Sequence, residues 1–515
     1  MKKLPIGIQS FEKIRTGNFY YVDKTFFVKK LVEEGDYFFL SRPRRFGKSL
    51  FLDTLRQAFL GKKELFNGLY LENNWNWNKI YPVIYISFGS GVIRSKEELT
   101  TTIEEILWSH EKNYNISLKL KSIKGKFMEL ISSLFEKFNE KVVILIDEYD
   151  KPILDNITNI KTAIEIREEL KNFYSVIKDC DQFLKFVFIT GVTKFSKVSL
   201  FSGLNNLKDI TLSPSYATIC GYTQKELEEV FKDRLKKVNL KEIKEWYDGY
   251  SFLGEKVYNP FDVLLYLDEG IYRAYWFETG SPTFLLKLIK EKGYFIPELE
   301  DLEVSEKIVS SFDIEKLEIE TLLFQTGYLT IKGIKRRIGR NVYKLGYPNL
   351  EVKVSLNDYI LDEYSGGSIS EKEKRLNKIY DKIENNDIEG LIEEFKRVFS
   401  GLPYHWYSKN NIYIYEGFYS SIFYSYFCAL GVEVIGEDVT SRGRIDLTVK
   451  LNDKIYIFEF KVIRTDKEFG FALKQLKAKK YHEKYKDEKK KIFLIGIEFS
   501  EEEKNIVNYE WEKVY

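Results

Sequence analysis

The sequence predicts an α/β protein: an N-terminal domain with a parallel sheet and flanking helices, a mainly helical middle, and a C-terminal α/β domain. Three observations carry this. Residues 37–60 read as an apolar run, a polar glycine-containing loop and a helix. Residues 142–146 and 186–189 are apolar runs of the kind buried on both faces of a sheet, with helical stretches between them. Residues 444–449 and 455–461 alternate apolar and polar around Asn452-Asp453, as an antiparallel hairpin does.

Taken in order, Tyr21-Val22-Asp23-Lys24-Thr25 opens an amphipathic helix that runs through Leu31 towards Gly35, with Asp23 or Thr25 as its cap. The strand at 37–40 then meets Ser41-Arg42-Pro43-Arg44-Arg45-Phe46-Gly47-Lys48-Ser49, and a helix follows with Leu52, Leu55 and Ala58 on its apolar face. Strand, loop and helix are the context a phosphate-binding loop needs. Gly47 lets backbone approach a phosphate. Lys48 supplies a cation, Ser49 a hydroxyl for Mg²⁺, and the helix start adds unpaired N–H groups. Arg45, Phe46, Gly47, Lys48 and Ser49 are the candidate nucleotide contacts. Arg42 stands where the general motif has its first glycine, and the plainer alternative is an ordinary basic loop.

Residues 81–88 read as a second strand and 96–138 as charged helix. The run 142–146 ends in Asp147-Glu148-Tyr149-Asp150. Carboxylates at the carboxyl end of a buried parallel strand face the ligand crevice, so Asp147 would hold Mg²⁺ and Glu148 would polarise an attacking water. A polar strand end that merely leaves the core is the alternative. Thr190 or Thr193, at the end of the next strand, would sense the γ-phosphate or act as a loop hydroxyl. From Gly221 the pattern is helical, with Thr223 and Glu226 spaced as a capping box. Strands at 328–331 and 342–345 flank Lys335-Arg336-Arg337-Ile338-Gly339-Arg340, a basic tip like the wing of a winged helix. A solvated hairpin tip is the plainer reading and the one the pattern favours. Residues 366–400 are charged and helical after a Gly366-Gly367-Ser368 break.

If Asn452-Asp453 is the turn, Asp446 stands directly opposite Glu459, and Lys461 follows on the same face. Opposed Cβ atoms lie ~5 Å apart, where two carboxylates repel by about 3 kcal/mol at an effective dielectric of ~20. A divalent cation between them turns that cost into a site. Oxygen ligands suit Mg²⁺, with Mn²⁺ as the alternative, and Lys461 would stabilise an attacking water or a pentavalent phosphate. Glu416 falls on the apolar face of a helix over 415–430, an odd place for a carboxylate without a partner. Gln475 shares a helix face with Ala472 and Leu476, where it would hydrogen-bond water or phosphate. The bland reading is a surface hairpin in which Lys461 bridges Glu459.

Lys plus Arg total 80 and Asp plus Glu 78, a net charge of +2, so the whole-chain balance neither points to nor excludes nucleic acid. Cys180, Cys220 and Cys428 are odd in number and widely spaced, which gives no disulfide framework and fits a reducing interior. Three scattered histidines argue against a His-based metal site. No apolar stretch follows Lys2-Lys3 as in a signal peptide, and none approaches the ~18 residues of a membrane span. A cytoplasmic protein without a membrane partner is expected.

The stretches Tyr21-Val22-Asp23-Lys24-Thr25, Arg42 to Ser49, Asp147-Glu148-Tyr149-Asp150, Thr190-Gly191-Val192-Thr193, Phe201 to Leu207, Gly443-Arg444-Ile445-Asp446-Leu447 and Glu459-Phe460-Lys461 occur in this order. Together they resemble a family of AAA-ATPase-like proteins carrying a C-terminal PD-(D/E)XK nuclease-like domain, whose own version of the loop has the arginine. The resemblance implies ATP binding through Lys48, Ser49 and Asp147. It also implies metal ligands at Asp446 and Glu459 beside Lys461, on a restriction-endonuclease-like fold. It supplies no substrate. The expected division is an ATPase domain at 1–215, a helical lid and winged-helix-like region at 216–360, and a nuclease-like domain at 361–515. The expected function is an ATP-controlled, Mg²⁺-dependent nuclease acting on DNA, although the sequence does not separate DNA from RNA, or a monomer from an oligomer. Two other classes stay open: a nucleotide-switched protein that holds nucleic acid without cutting, and an ATPase-driven scaffold.

Overall fold

The computed structural model describes residues 1–515 except 196–199, 202, 203, 205, 278–282, 366, 367, 403–415, 466, 467 and 515, and gives only the backbone at 283, 364 and 365. Ser202, Gly203, Asn205, the Gly366-Gly367 break and Tyr415 therefore lie outside the described residues. The architecture is α/β, with a parallel sheet, a helical middle and a mixed sheet, as the sequence leads one to expect. The chain forms two compact units, Met1–Thr279 with Val304–Lys344, and Gly280–Glu303 with Leu345–Tyr515. Among the described residues no helix is long and apolar enough to cross a membrane.

In the first unit, β1 (Tyr37–Ser41), β2 (Val83–Ser87), β3 (Val142–Asp147), β4 (Leu184–Gly191) and β5 (Lys208–Asp209) form a sheet of order β2-β3-β4-β1-β5. All neighbours are parallel. β1 and β3 are buried at every residue, which is why they read as unbroken apolar runs. β4 lies between the strand that carries the glycine loop and the strand that carries the acidic run, so their carboxyl ends share one edge. Lys24, not Asp23 or Thr25, is the N-cap of the helix Thr25–Glu34; Asp23 stands one residue earlier, where its Oδ1 accepts from the Thr25 amide at 2.8 Å and hydroxyl at 2.7 Å. Lys24 is buried and pairs with Glu226 at 2.6 Å. Thr223 and Glu226 close the capping box of the helix Gln224–Val230.

The helix Ile319–Thr326 ends at Gly327 with φ +97°, where a Cβ would stand 2.7 Å from the Pro43 Cβ. After a short strand β6 (Leu302–Ser305) and this helix comes the hairpin of β7 (Thr330–Arg337) and β8 (Arg340–Gly346). The basic residues expected between two short strands lie mostly within longer ones, and only Ile338-Gly339 separates them. Backbone pairing continues past the point where burial stops, so the apolar signal fades before the strand does.

In the second unit, β9 (Glu433–Thr440), β10 (Gly443–Leu451), β11 (Lys454–Ile463), β12 (Lys491–Ser500) and β13 (Ile506–Lys513) form a sheet of order β13-β12-β11-β10-β9. β11 and β12 are parallel and the other neighbours antiparallel. Leu451 pairs with Lys454 and Leu447 with Phe458, the register a two-residue Asn452-Asp453 turn dictates. Alternation on β11 sends Phe458 and Phe460 towards Phe427 and Phe423 of the helix Glu416–Ala429. It turns Ile455 and Ile457 the other way, towards Leu473 and Leu476 of the helix Phe471–Lys479.

Candidate nucleotide and nuclease sites

The glycine loop of the first unit borders a cleft of about 480 Å³ lined by Ile8, Arg44, Arg45, Lys48, Ser49 and Glu148, among others. Gly47 has φ +90°, and a Cβ there would project into open space. A side chain would therefore occupy room that a phosphate needs, besides straining the backbone. Lys48 is buried and donates to the carbonyls of Arg42 and Pro43, each at 2.9 Å. Burial lowers its pKa and Asp147 partly opposes this. Burial raises the Asp147 carboxyl, and the nearby Ser49 hydroxyl and Lys48 ammonium partly oppose this. Arg45 lies at φ +68°, exposed, with its guanidinium 4.7 Å from the Phe261 ring centre. The Phe46 ring turns away into Tyr250 and Phe252, which leaves its backbone to face the loop.

Glu148 adopts φ +51°, an uncommon conformation for a residue with a side chain, at the end of β3. Beside it, buried Asp150 accepts from the amides of Val192 (3.1 Å) and Thr193 (2.5 Å) and from the Thr193 hydroxyl (2.6 Å). Gly191 permits this, since a Cβ there would collide with Asp150. Thr193 is thus committed to Asp150, whereas the buried Thr190 hydroxyl has no partner among the described residues. Arg42, at the general motif's first glycine, is buried: it donates to the carbonyls of Ser41, Thr211 and Tyr216 and stacks 3.7 Å from the Phe252 ring centre.

In the second unit, Asp446, Glu459, Lys461, Glu416 and Gln475 come together. Asp446 accepts from the Phe460 amide at 2.8 Å. Glu459 is 1% exposed; one carboxylate oxygen accepts from Gln475, and the other is buried without a partner among the described residues. Lys461 lies 3.1 Å from Glu416 and 3.6 Å from Glu459. Burial raises the carboxyls of Glu459 and Asp446 well above the usual range, and the Asp446 charge raises Glu459 further. Burial works against the Lys461 ammonium, but Glu416, Glu459 and Asp446 together hold its pKa above the ordinary value. Among the described residues no three His, Cys, Asp or Glu side chains converge as a ready-made cage. The donor set is a carboxylate pair that leaves the remaining positions of a cation to water and substrate. An unpartnered buried carboxylate oxygen is costly, and a hard cation with oxygen ligands answers that cost, so the residues fit a divalent ion.

The family of predicted AAA-ATPases matches residues 5–201. The PD-(D/E)XK nuclease superfamily matches residues 414–509. A relative described as an uncharacterized protein in the vnfD 5' region of Azotobacter chroococcum mcd 1 is 48% identical over 509 residues, 99% of this chain and 98% of the relative. The chain belongs to the AAA-ATPase-like family with a C-terminal PD-(D/E)XK nuclease superfamily domain. AAA-ATPase domains generally use ATP with Mg²⁺, and PD-(D/E)XK domains generally use Mg²⁺.

This AAA-ATPase-like protein also holds a group that sequence reasoning missed. Glu498, buried on β12 beside Lys461 in the ladder, accepts from the Ala472 amide at 3.0 Å and from Asn508 at 2.7 Å. It thereby satisfies the first turn of the helix that carries Gln475. Gly496, paired with Glu459, lets that helix backbone close on the sheet, since a Cβ would collide with the Leu473 nitrogen. The available signal was a carboxylate inside the otherwise apolar run 492–499.

Proposed function

We propose that the protein is an ATP-controlled, Mg²⁺-dependent nuclease acting on DNA. The observation that carries this reading is the buried Glu459 carboxylate, bonded at one oxygen, open at the other, and flanked by Asp446 and Lys461. A bound divalent ion would supply Lewis acidity there. Asp446 and Glu459 would hold it, and Gln475 fixes the Glu459 rotamer. Glu416 keeps the Lys461 ammonium at the site, where it would meet charge gathering on a phosphodiester oxygen.

In the nucleotide site, the amides around Gly47 and the start of the helix Lys48–Phe59 would receive the triphosphate, with Arg45 and the Phe46 backbone at its edge. Lys48 would leave its loop carbonyls for the phosphates, and Ser49 and Asp147 would hold the accompanying Mg²⁺. Glu148 would orient an attacking water, and Thr190 would offer its hydroxyl to the γ-phosphate. Residues 1–215 would supply this site, 216–360 the segment that responds to it, and 361–515 the cleavage.

Incubating supercoiled and linear DNA with Mg²⁺, with and without ATP, tests the reading. Cleavage is expected, is lost in Glu459→Ala, and becomes indifferent to ATP in Lys48→Ala. Cleavage that survives Glu459→Ala removes the nuclease assignment, and wild-type cleavage indifferent to ATP removes the control.

A further inference from the structure

The β7/β8 hairpin serves neither site. Between Glu320 and Glu351 the chain has no Asp or Glu, yet it carries Lys332, Lys335, Arg336, Arg337, Arg340 and Lys344, in a protein whose net charge is only +2. The hairpin is paired to its tip, but residues 334–340 are all exposed. Sheets commonly bury at least one face, and this ribbon end buries neither. Gly339, at φ +79°, makes the turn and leaves Ile338 at the apex between Arg337 and Arg340. Ile338 is 108% exposed and Ile334 44%. An isoleucine at the apex of a cationic ribbon contributes nothing to the core.

The root of the ribbon, by contrast, is fastened to the nucleotide site. Gly327 abuts Pro43 of the glycine loop. The Lys194 amide, just past β4, donates to Gln325 at 2.9 Å, and Ser251, next to the Tyr250 that packs on Phe46, donates to Thr330 at 2.8 Å.

We propose that this ribbon is a duplex-DNA arm: its tip enters the minor groove, its arginines meet phosphates, and Ile338 wedges against a base step and bends the duplex. The inference rests on the reading of DNA as substrate and adds how the duplex is held. Arg336 and Arg340, exposed on either side of Ile338, match a polyanion. Arginine suits a narrow minor groove, and an apolar side chain there works by partial unstacking. A single strand has no groove, and the minor groove of duplex RNA is wide and shallow, so the arm selects B-form DNA. An acidic protein surface would match the charge but would give neither a bend nor a preference for duplex DNA, the two properties the test reads.

The test uses the full-length protein in EDTA, where binding is read without cleavage, and a short duplex labelled at both ends to report bending. Ile338→Ser is expected to abolish the bend and weaken duplex binding roughly tenfold while leaving the salt dependence alone. Arg336→Ala with Arg340→Ala is expected to lower the slope of log affinity against log salt by about 2. All three side chains are exposed, so thermal unfolding should not change. Single-stranded DNA and duplex RNA of the same sequence should bind more weakly than the DNA duplex. Unchanged affinity, slope and bend in both variants would overturn the arm, as would equal losses on single strands or a wild type that ignores duplex DNA. Arm-independent binding with intact cleavage would remove the arm and leave the nuclease. Arm-dependent bending without cleavage in Mg²⁺ would do the reverse.

Discussion

Glu459 and Asp446 are carboxyls that burial holds above their ordinary pKa range. A carboxyl whose folded pKa exceeds its unfolded value of ~4 binds its proton more tightly in the fold. Its contribution to stability is therefore complete in acid and is lost as pH rises through the raised folded values. Glu459→Gln removes that loss. Its melting temperature is expected to rise by a few degrees near pH 8.5 and hardly at all near pH 5, since about 1 kcal/mol shifts a unit of this size by roughly 2–4 °C. Mg²⁺ competes with the same proton, so its stabilisation of the wild type should grow with pH, and an equal Mg²⁺ shift in Glu459→Gln would count against a ligand role. Thr190 makes a second case. In the sequence it could not be told from Thr193; both are buried, and the bond of Thr193 to Asp150 separates them. Thr190→Val removes a hydroxyl without a partner among the described residues, so folding should be unharmed, while ATP turnover should fall roughly tenfold with ATP affinity retained. A turnover equal to wild type would leave Thr190 without a nucleotide role.

Two elements decide how well the nuclease side chains are held. The helix Phe471–Lys479 reaches Glu459 through Gln475 because Gly496 admits its backbone and Glu498 accepts from its first turn. Glu498→Ala is expected to lower kcat on DNA about tenfold or more with KM little changed, because misplacing a supporting group by ~1 Å is costly. Glu498→Gln keeps an acceptor for the Ala472 amide and should restore most of the rate; failure of that rescue would point to a role beyond holding the helix. The β10/β11 hairpin was legible in the sequence, because alternation and a two-residue turn leave one register that buries Ile455 and Ile457. The far ends of β7 and β8 were not, since exposure on both faces erases the period from which a strand is read.

At the scale of the whole chain, each compact unit has its own sheet and core, which predicts two unfolding transitions, not one. ATP with Mg²⁺ is expected to raise one transition, and Lys48→Ala to abolish that shift while sparing the effect of Mg²⁺ alone on the other. A single transition that both ligands move equally would contradict two separately folded units, each with its own site. The sequence alone determined the α/β class, the strand–loop–helix at Gly47, the acidic end of β3 and the β10/β11 register, whose ladder ends at Leu447 and Phe458, one residue short of the expected Asp446–Glu459 pair. Each of these depends on period, turn length or near neighbours along the chain, and so is written locally. Only the tertiary structure decided that Arg42 is buried under Phe252, that Glu416 meets Lys461, that Asp150 takes Thr193 and that Glu498 holds the Gln475 helix. Those outcomes are set by which distant groups share a buried space, where an unpaired polar atom is costly and partners from far along the chain compete to satisfy it.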